Sequence, residues 1–168
     1  VTLLHKPVLL VVYASITGAT RSWVQSFCHG AADESAVTVR LLQAADVCTE
    51  DVVAADAYVF ACPETLGSMV GEMKSFFDRT YYPVLDQVNG RPYLLVVCAG
   101  SDGEPTVRQM QRILTGWRLK PVAEARLIKT HAQTPEAILA SKELDEALLQ
   151  DAEEAGRAMA SALLMGIF

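Results

Sequence analysis

Three uninterrupted apolar runs, residues 8–13, 57–62 and 92–98, constrain this chain more than any other feature. A strand that alternates apolar and polar residues buries one face, whereas a strand apolar at every position must be covered on both. Segments with helical spacing separate the runs: Val24, Phe27 and Ala31, then Met69, Met73, Phe76, Phe77 and Tyr81, then Val107, Met110, Leu114 and Trp117. Two further strands, 36–42 and 122–128, are striped. Val37, Val39 and Leu41 oppose Thr38 and Arg40 in the first, and Glu124 and Arg126 share a face of the second. Stripes of this kind belong at sheet edges. Ser68 caps the helix at 69–81 and Pro83 ends it, while Pro105 suits a first helical position. Thr49 caps a brief helix, Thr134-Pro135-Glu136 opens a helical turn, and Leu144, Leu148, Ala152, Ala155, Met159 and Leu163 carry a long final helix. Strand and helix alternate five times. The result is an α/β fold: a three-layer, doubly wound, five-stranded parallel sheet. With the striped strands at its edges, the order is 2-1-3-4-5.

Composition narrows the chemistry. The 168 residues suit one domain spanning 1–168, with no linker, repeat or low-complexity segment. Cys28, Cys48, Cys62 and Cys98 form no Cys-x-x-Cys pair, so neither a disulfide framework nor a thiolate metal site is expected. Cys62 and Cys98 end central strands and read as small buried hydrophobes. His5, His29 and His131 are scattered, and no metal is expected. The net charge of −6 comes without a basic stripe, which argues against nucleic acid. No apolar run approaches the ~20 residues of a membrane span. His5 and Lys6 precede a short run without a signal-cleavage site, so a reduced, cytoplasmic chain is the expectation.

Ligands of such sheets bind beyond the carboxyl ends of the strands, where the strand order reverses, here between strands 1 and 3. Three loops reach that crevice: 14–20, 63–68 and 99–103. The first carries Ser15, Thr17 and Thr20 around Gly18 and leads into a helix N-terminus, whose free N–H groups favour an anion. It lacks the Gly-Lys-Ser/Thr of a P-loop and the three glycines of a dinucleotide fingerprint. Two readings stay open: a neutral hydroxyl cup for a terminal phosphate, or a hydroxyl-rich turn that caps the helix.

The Ser15-x-Thr17-Gly18-x-Thr20 spacing after an aromatic strand end resembles the phosphate loop of flavodoxin-like proteins, with Val24 and Phe27 as departures. Pro63, Gly67, Met69, Gly71, Met73, Lys74, Phe76, Asp78 and Arg79 resemble the second flavin loop and following helix of the NAD(P)H-dependent FMN reductase and quinone reductase branch. Thr65 and Ser68 depart from that pattern, which has an aromatic residue and Asn there. The resemblance implies FMN as cofactor, held by Ser15, Ile16, Thr17, Gly18, Ala19 and Thr20 at its phosphate. The loop of Pro63, Glu64, Thr65, Leu66 and Gly67 would turn its backbone N–H groups toward the N5 and O4 edge of the ring. Ala99, Gly100, Ser101, Asp102 and Gly103 would border its pyrimidine side. On the helix itself, Lys74 and Asp78 form an i,i+4 pair, Met73 and Phe76 are core, and Asp78 and Arg79 fix the helix end.

Other chemistries on this strand order lack their residues. Receiver domains need an acid where Cys62 stands and an acidic pair where Ala14-Ser15 stands. No cysteine has the Cys-x5-Arg of a low-molecular-weight tyrosine phosphatase, and Gly-x-Ser-x-Gly is absent. Two roles follow. One is an enzyme whose FMN takes hydride from NAD(P)H and reduces a quinone, a flavin or another small acceptor, with no catalytic side chain of its own. The other is a flavodoxin-type one-electron carrier for protein partners. Carriers sandwich the ring between aromatic side chains, and here the second loop offers Thr65 and Leu66 and the third none, which favours the reductase. Thr65 and Glu64 also motivate a weak-binding, regulatory variant, with Glu64 beside the ring repelling the reduced flavin or else pointing into solvent. The resemblance further implies a homodimer or homotetramer, and Tyr81, Tyr82 and Trp117, near helix ends, are candidates either for exposed contacts or for core.

Overall fold

The computed structural model describes residues 5–168. The elements, in chain order, are β1 (Val8–Tyr13), α1 (Ala19–Ala31), β2 (Thr38–Gln43), α2 (Thr49–Ala54), β3 (Ala57–Thr65), β4 (Ser68–Met69), α3 (Gly71–Val84), β5 (Pro92–Ala99), α4 (Glu104–Gly116), β6 (Lys120–Pro121), β7 (Arg126–Lys129), α5 (Pro135–Leu139) and α6 (Glu146–Leu164). The sheet runs β2-β1-β3-β5-β6, with β7 also beside β5. Its main strands pair in parallel. This is the expected 2-1-3-4-5 order, with β6 and β7 sharing the fifth place.

The three apolar runs are central and fully covered. Alternate residues of β1 supply two cores: Leu10 and Val12 pack with Phe60 of β3 and with Phe76 and Trp117 of the α2-α3-α4 layer. Leu9, Val11 and Tyr13 pack with Trp23, Phe27 and Met159 of the α1-α6 layer. In that second layer the helix backbones touch. A Cβ on Gly30 would lie 1.9 Å from the carbonyl oxygen of Glu153, and one on Gly156 would lie 1.9 Å from that of Phe27. Only glycine permits this approach.

Several local expectations are corrected. The fifth strand is not continuous over 122–128. Pro121 pairs with Tyr93 and Arg126 with Val96, so five steps along one chain match three along the other, and the excess bulges out. The Lys120 and Val122 N–H groups donate to the Arg91 and Tyr93 carbonyls at 2.9 and 3.0 Å, and Pro121 stands between them, where an edge strand needs no donor toward β5. Pro63 does not stop β3: it pairs with Cys98 on one side, and on the other the β1 register has already ended at Ala61. α3 begins at Gly71 with Val70 as N-cap, because Ser68 and Met69 fold back as β4 antiparallel to β3. The same helix accommodates Pro83 in its last turn. α2 is capped by Cys48 rather than Thr49, through Asp51, whose carboxylate accepts from the Cys48 N–H at 2.9 Å and its thiol at 3.0 Å.

Lys74 and Asp78 do pair, at 2.5 Å, on the surface of α3. Arg79, however, does not fix its own helix end. Its guanidinium donates to the carbonyls of Ala44, Ala45 and Val47 and so ties down the chain after β2. Trp117 is buried against Phe60, Phe76 and Phe77, Tyr81 is half-buried, and Tyr82 alone of the three projects into solvent.

Candidate functional site

A cavity of about 510 Å³ opens at the carboxyl ends of β1, β3 and β5. Ser15, Ile16, Thr17, Gly18, Ala19 and Thr20 line it from the first loop, and Pro63, Glu64, Thr65, Leu66 and Gly67 from the second. From the third loop come Ala99, Gly100 and Ser101, but not Asp102 or Gly103. Those two are used in starting α4. Gly103 is its left-handed N-cap (φ 82°), and Asp102 accepts from the Glu104 N–H at 3.3 Å.

Gly18, left-handed at φ 106°, is the N-cap of α1 and has no side chain to offer. One hydroxyl of the loop does reach the helix start: Ser15 Oγ accepts from the Arg21 N–H, in the first turn, at 3.3 Å. Among the described residues the N–H groups of Ala19 and Thr20 have no acceptor, and they face the loop. Thr20 is buried beside Cys98, and among the described residues the Thr17 hydroxyl has no hydrogen-bond partner.

The second loop is a two-residue hairpin turn. Leu66 (φ 52°) and Gly67 (φ 74°) are both left-handed, the pattern of a type I′ turn, and Leu66 is fully exposed. Two side chains brace it to α4. Glu64 accepts from the Gly103 N–H at 3.0 Å and from the Thr106 hydroxyl at 2.7 Å. Gln109 Oε1 accepts from Ser68 Oγ at 2.9 Å and from the Met69 N–H at 3.1 Å. Glu64 does not turn to solvent: it lines the cavity while both of its oxygens are bonded to the start of α4.

Six further residues line the cavity: Cys98, Thr130, Ala132, Ile138, Leu139 and Lys142. Thr130 and Ala132 follow the carboxyl end of the fifth strand, where the strand order alone could have placed them. α5 gives no such signal, since none of its residues is buried. Ile138 and Leu139 project from it, and with Ile16 and Leu66 they give the cavity an exposed aliphatic rim. Among the described residues no aromatic side chain lines it.

Charge is sparse here, with Glu64 the acid and Lys142 the base among the lining residues. The nearby thiols are inert. Burial pushes Cys62 up to about 12 and Cys98 to about 11, so neither is a thiolate nucleophile at neutral pH. Among the described residues no cluster of three metal-ligating side chains occurs.

The model of the NADPH-dependent FMN reductase family matches residues 27–134. The chain belongs to that family. FMN is the family's cofactor, and members are flavodoxin-like oxidoreductases. The family match begins after the first loop and ends before α5. A flavodoxin from Aquifex aeolicus is 29% identical over 93 residues, 55% of this chain and 48% of that protein. The chain therefore spans about half the length of the curated relative it matches. Among solved structures, an archaeal flavodoxin superposes with a TM-score of 0.76 at 18% identity, covering 92% of this chain and 96% of that one. A WrbA-like flavodoxin from Agrobacterium tumefaciens gives 0.71 at 17% identity, covering 93% and 96%. The rubredoxin oxygen:oxidoreductase of Desulfovibrio gigas gives 0.75 at 15% identity, covering 96% of this chain but 38% of its own. At these identities the structural likeness concerns the fold.

The cavity fits the family's cofactor. Its volume lies within the range of about 300–1,000 Å³ typical of small-molecule sites. A cup of N–H groups and hydroxyls at one end suits a phosphate, and an aliphatic rim suits a flat apolar ring.

Proposed function

We propose that this cavity holds FMN, with its phosphate at residues 15–20 and its ring between the second and third loops, and that the protein is an NAD(P)H-dependent reductase of a quinone, a flavin or another small acceptor. The observation that carries this is the first loop. Ser15 Oγ takes only the Arg21 N–H of the first turn of α1, which leaves the Ala19 and Thr20 N–H groups without an acceptor among the described residues, and Thr17 keeps a hydroxyl uncommitted beside them. When bound, FMN supplies the hydride-accepting and hydride-donating chemistry. The protein's part is to position and shield. The α1 N–H groups and the Thr17 hydroxyl orient the phosphate, and the braced hairpin sets one edge of the ring site. Ile16, Leu66, Ile138 and Leu139 exclude water from its rim. No side chain at the site serves as nucleophile or general acid.

The absence of aromatic lining favours the reductase, because a ring face not covered by an aromatic side chain admits a nicotinamide and then an acceptor. The flavodoxin relative keeps the one-electron carrier as the second reading. The four free thiols suit a reducing, cytoplasmic compartment. Exposed Tyr82 and Leu85 on α3 and just beyond it suit self-association as a homodimer or homotetramer. Anaerobic mixing of the FMN-loaded protein with NADPH or NADH separates the two roles. Bleaching of the flavin, followed by recovery on adding a quinone, is expected of the reductase. Flavin that stays oxidised with both nicotinamides contradicts it.

A further inference from the structure

The segment after β7 crosses the cavity mouth as a strap. At one end it packs on the third loop, where a Cβ on Gly100 would lie 3.1 Å from the carbonyl oxygen of Ala132. At the other it packs on the first loop. The Lys142 N–H donates to the Thr17 carbonyl at 2.7 Å, and a Cβ on Gly18 would lie 3.4 Å from the Lys142 carbonyl oxygen. The side chain of Lys142 turns back on its own strap. Its ammonium donates to the carbonyls of Ala137 at 2.6 Å, Ile138 at 3.1 Å and Ala140 at 2.6 Å.

This cage holds the ammonium in place without neutralising it. Carbonyls are dipoles and carry no net charge, and among the described residues Lys142 pairs with no carboxylate. A fixed, half-buried positive charge therefore belongs to a cavity-lining residue, the one whose backbone is bonded to the phosphate-type loop. The loop itself offers only neutral donors: hydroxyls and N–H groups.

Resting on the assignment of the cavity to FMN, we propose that Lys142 is the specificity-determining residue for the phosphate. Its charge makes the cavity prefer FMN to the same ring system without a phosphate. The hydroxyl cup and helix N-terminus position the phosphate, and Lys142 supplies the long-range attraction that a set of neutral donors lacks. It acts across the loop as a point charge, so no direct contact is required.

The test is a parallel titration of FMN and riboflavin, followed by quenching of flavin fluorescence, on the wild type, Lys142→Met and Lys142→Arg. Methionine keeps an unbranched stem and removes the charge. Lys142→Met is expected to weaken FMN about tenfold while riboflavin shifts by less than about twofold, and Lys142→Arg to retain most of the preference. Raising the salt concentration should narrow the wild-type preference and leave that of Lys142→Met unchanged. Equal weakening of both ligands in Lys142→Met would mean that the strap is merely structural, and an unchanged FMN affinity would mean that the charge is irrelevant. Either result overturns the proposal. A wild type that binds neither ligand overturns the cavity assignment itself, and this proposal with it, before any variant is considered.

Discussion

The first and second loops solve opposite problems. In the second, polar groups are spent within the protein. Both Glu64 oxygens serve the start of α4, and Gln109 serves Ser68 and Met69, so the hairpin is bolted to a helix and presents a fully exposed Leu66. In the first, some polar groups are held in reserve. Ser15 Oγ accepts from the Arg21 N–H, but the Ala19 and Thr20 N–H groups and the Thr17 hydroxyl have no partner among the described residues. A residue that braces and a residue that awaits a ligand are both polar, and what distinguishes them is whether the folded chain already satisfies them. Substitutions in the bolted loop should therefore alter stability, and those in the reserved loop should alter binding.

The largest expected effect lies behind the first loop, where α1 crosses α6 with no room for a side chain. Gly156→Ala should lower the unfolding free energy by about 3 kcal/mol in urea denaturation, since its Cβ meets backbone that cannot yield cheaply. A loss below about 0.5 kcal/mol would mean that the crossing relaxes easily and does not set the position of the loop. Next is the bolt. Glu64→Ala strands the Gly103 N–H and the Thr106 hydroxyl, and should lower stability by about 2 kcal/mol. Loss of flavin binding with unchanged stability would place Glu64 with the reserved groups instead.

Thr17→Ala sharpens the contrast from the other side. FMN affinity should fall about tenfold while stability stays within about 0.5 kcal/mol of wild type, as measured by flavin titration and denaturation of the apoprotein. The smallest effect is expected at Leu66. A leucine in the left-handed region is strained, and Leu66→Gly should raise apoprotein stability by about 0.5 kcal/mol. If stability instead falls, Leu66 makes packing contacts that its full exposure does not suggest.

The layered sheet was legible because it rests on burial, and burial leaves periodic marks. Continuous runs mark β1, β3 and β5, and stripes mark the two edges. The position of the cavity followed from strand order, and fourteen of the sixteen residues named at the sequence level line it, the exceptions being Asp102 and Gly103. What escaped leaves no periodic trace. The Glu64–Gly103 and Gln109–Met69 braces join polar groups about 40 residues apart, and nothing local announces them. α5 buries nothing, so Ile138, Leu139 and Lys142 could not be placed over the cavity from spacing. The break in the fifth strand comes after Val122, whose N–H still donates to the Tyr93 carbonyl, and no periodic signal in the residues that follow marks it.

The account depends most on whether the reserved donors of the first loop receive a flavin phosphate. Purified protein titrated with FMN and passed through a desalting column tests this directly. Retention of one flavin per chain, with a visible spectrum shifted from that of free FMN, is the predicted result. Protein that emerges colourless at saturating FMN, with the free-flavin spectrum unaltered during the titration, would contradict it.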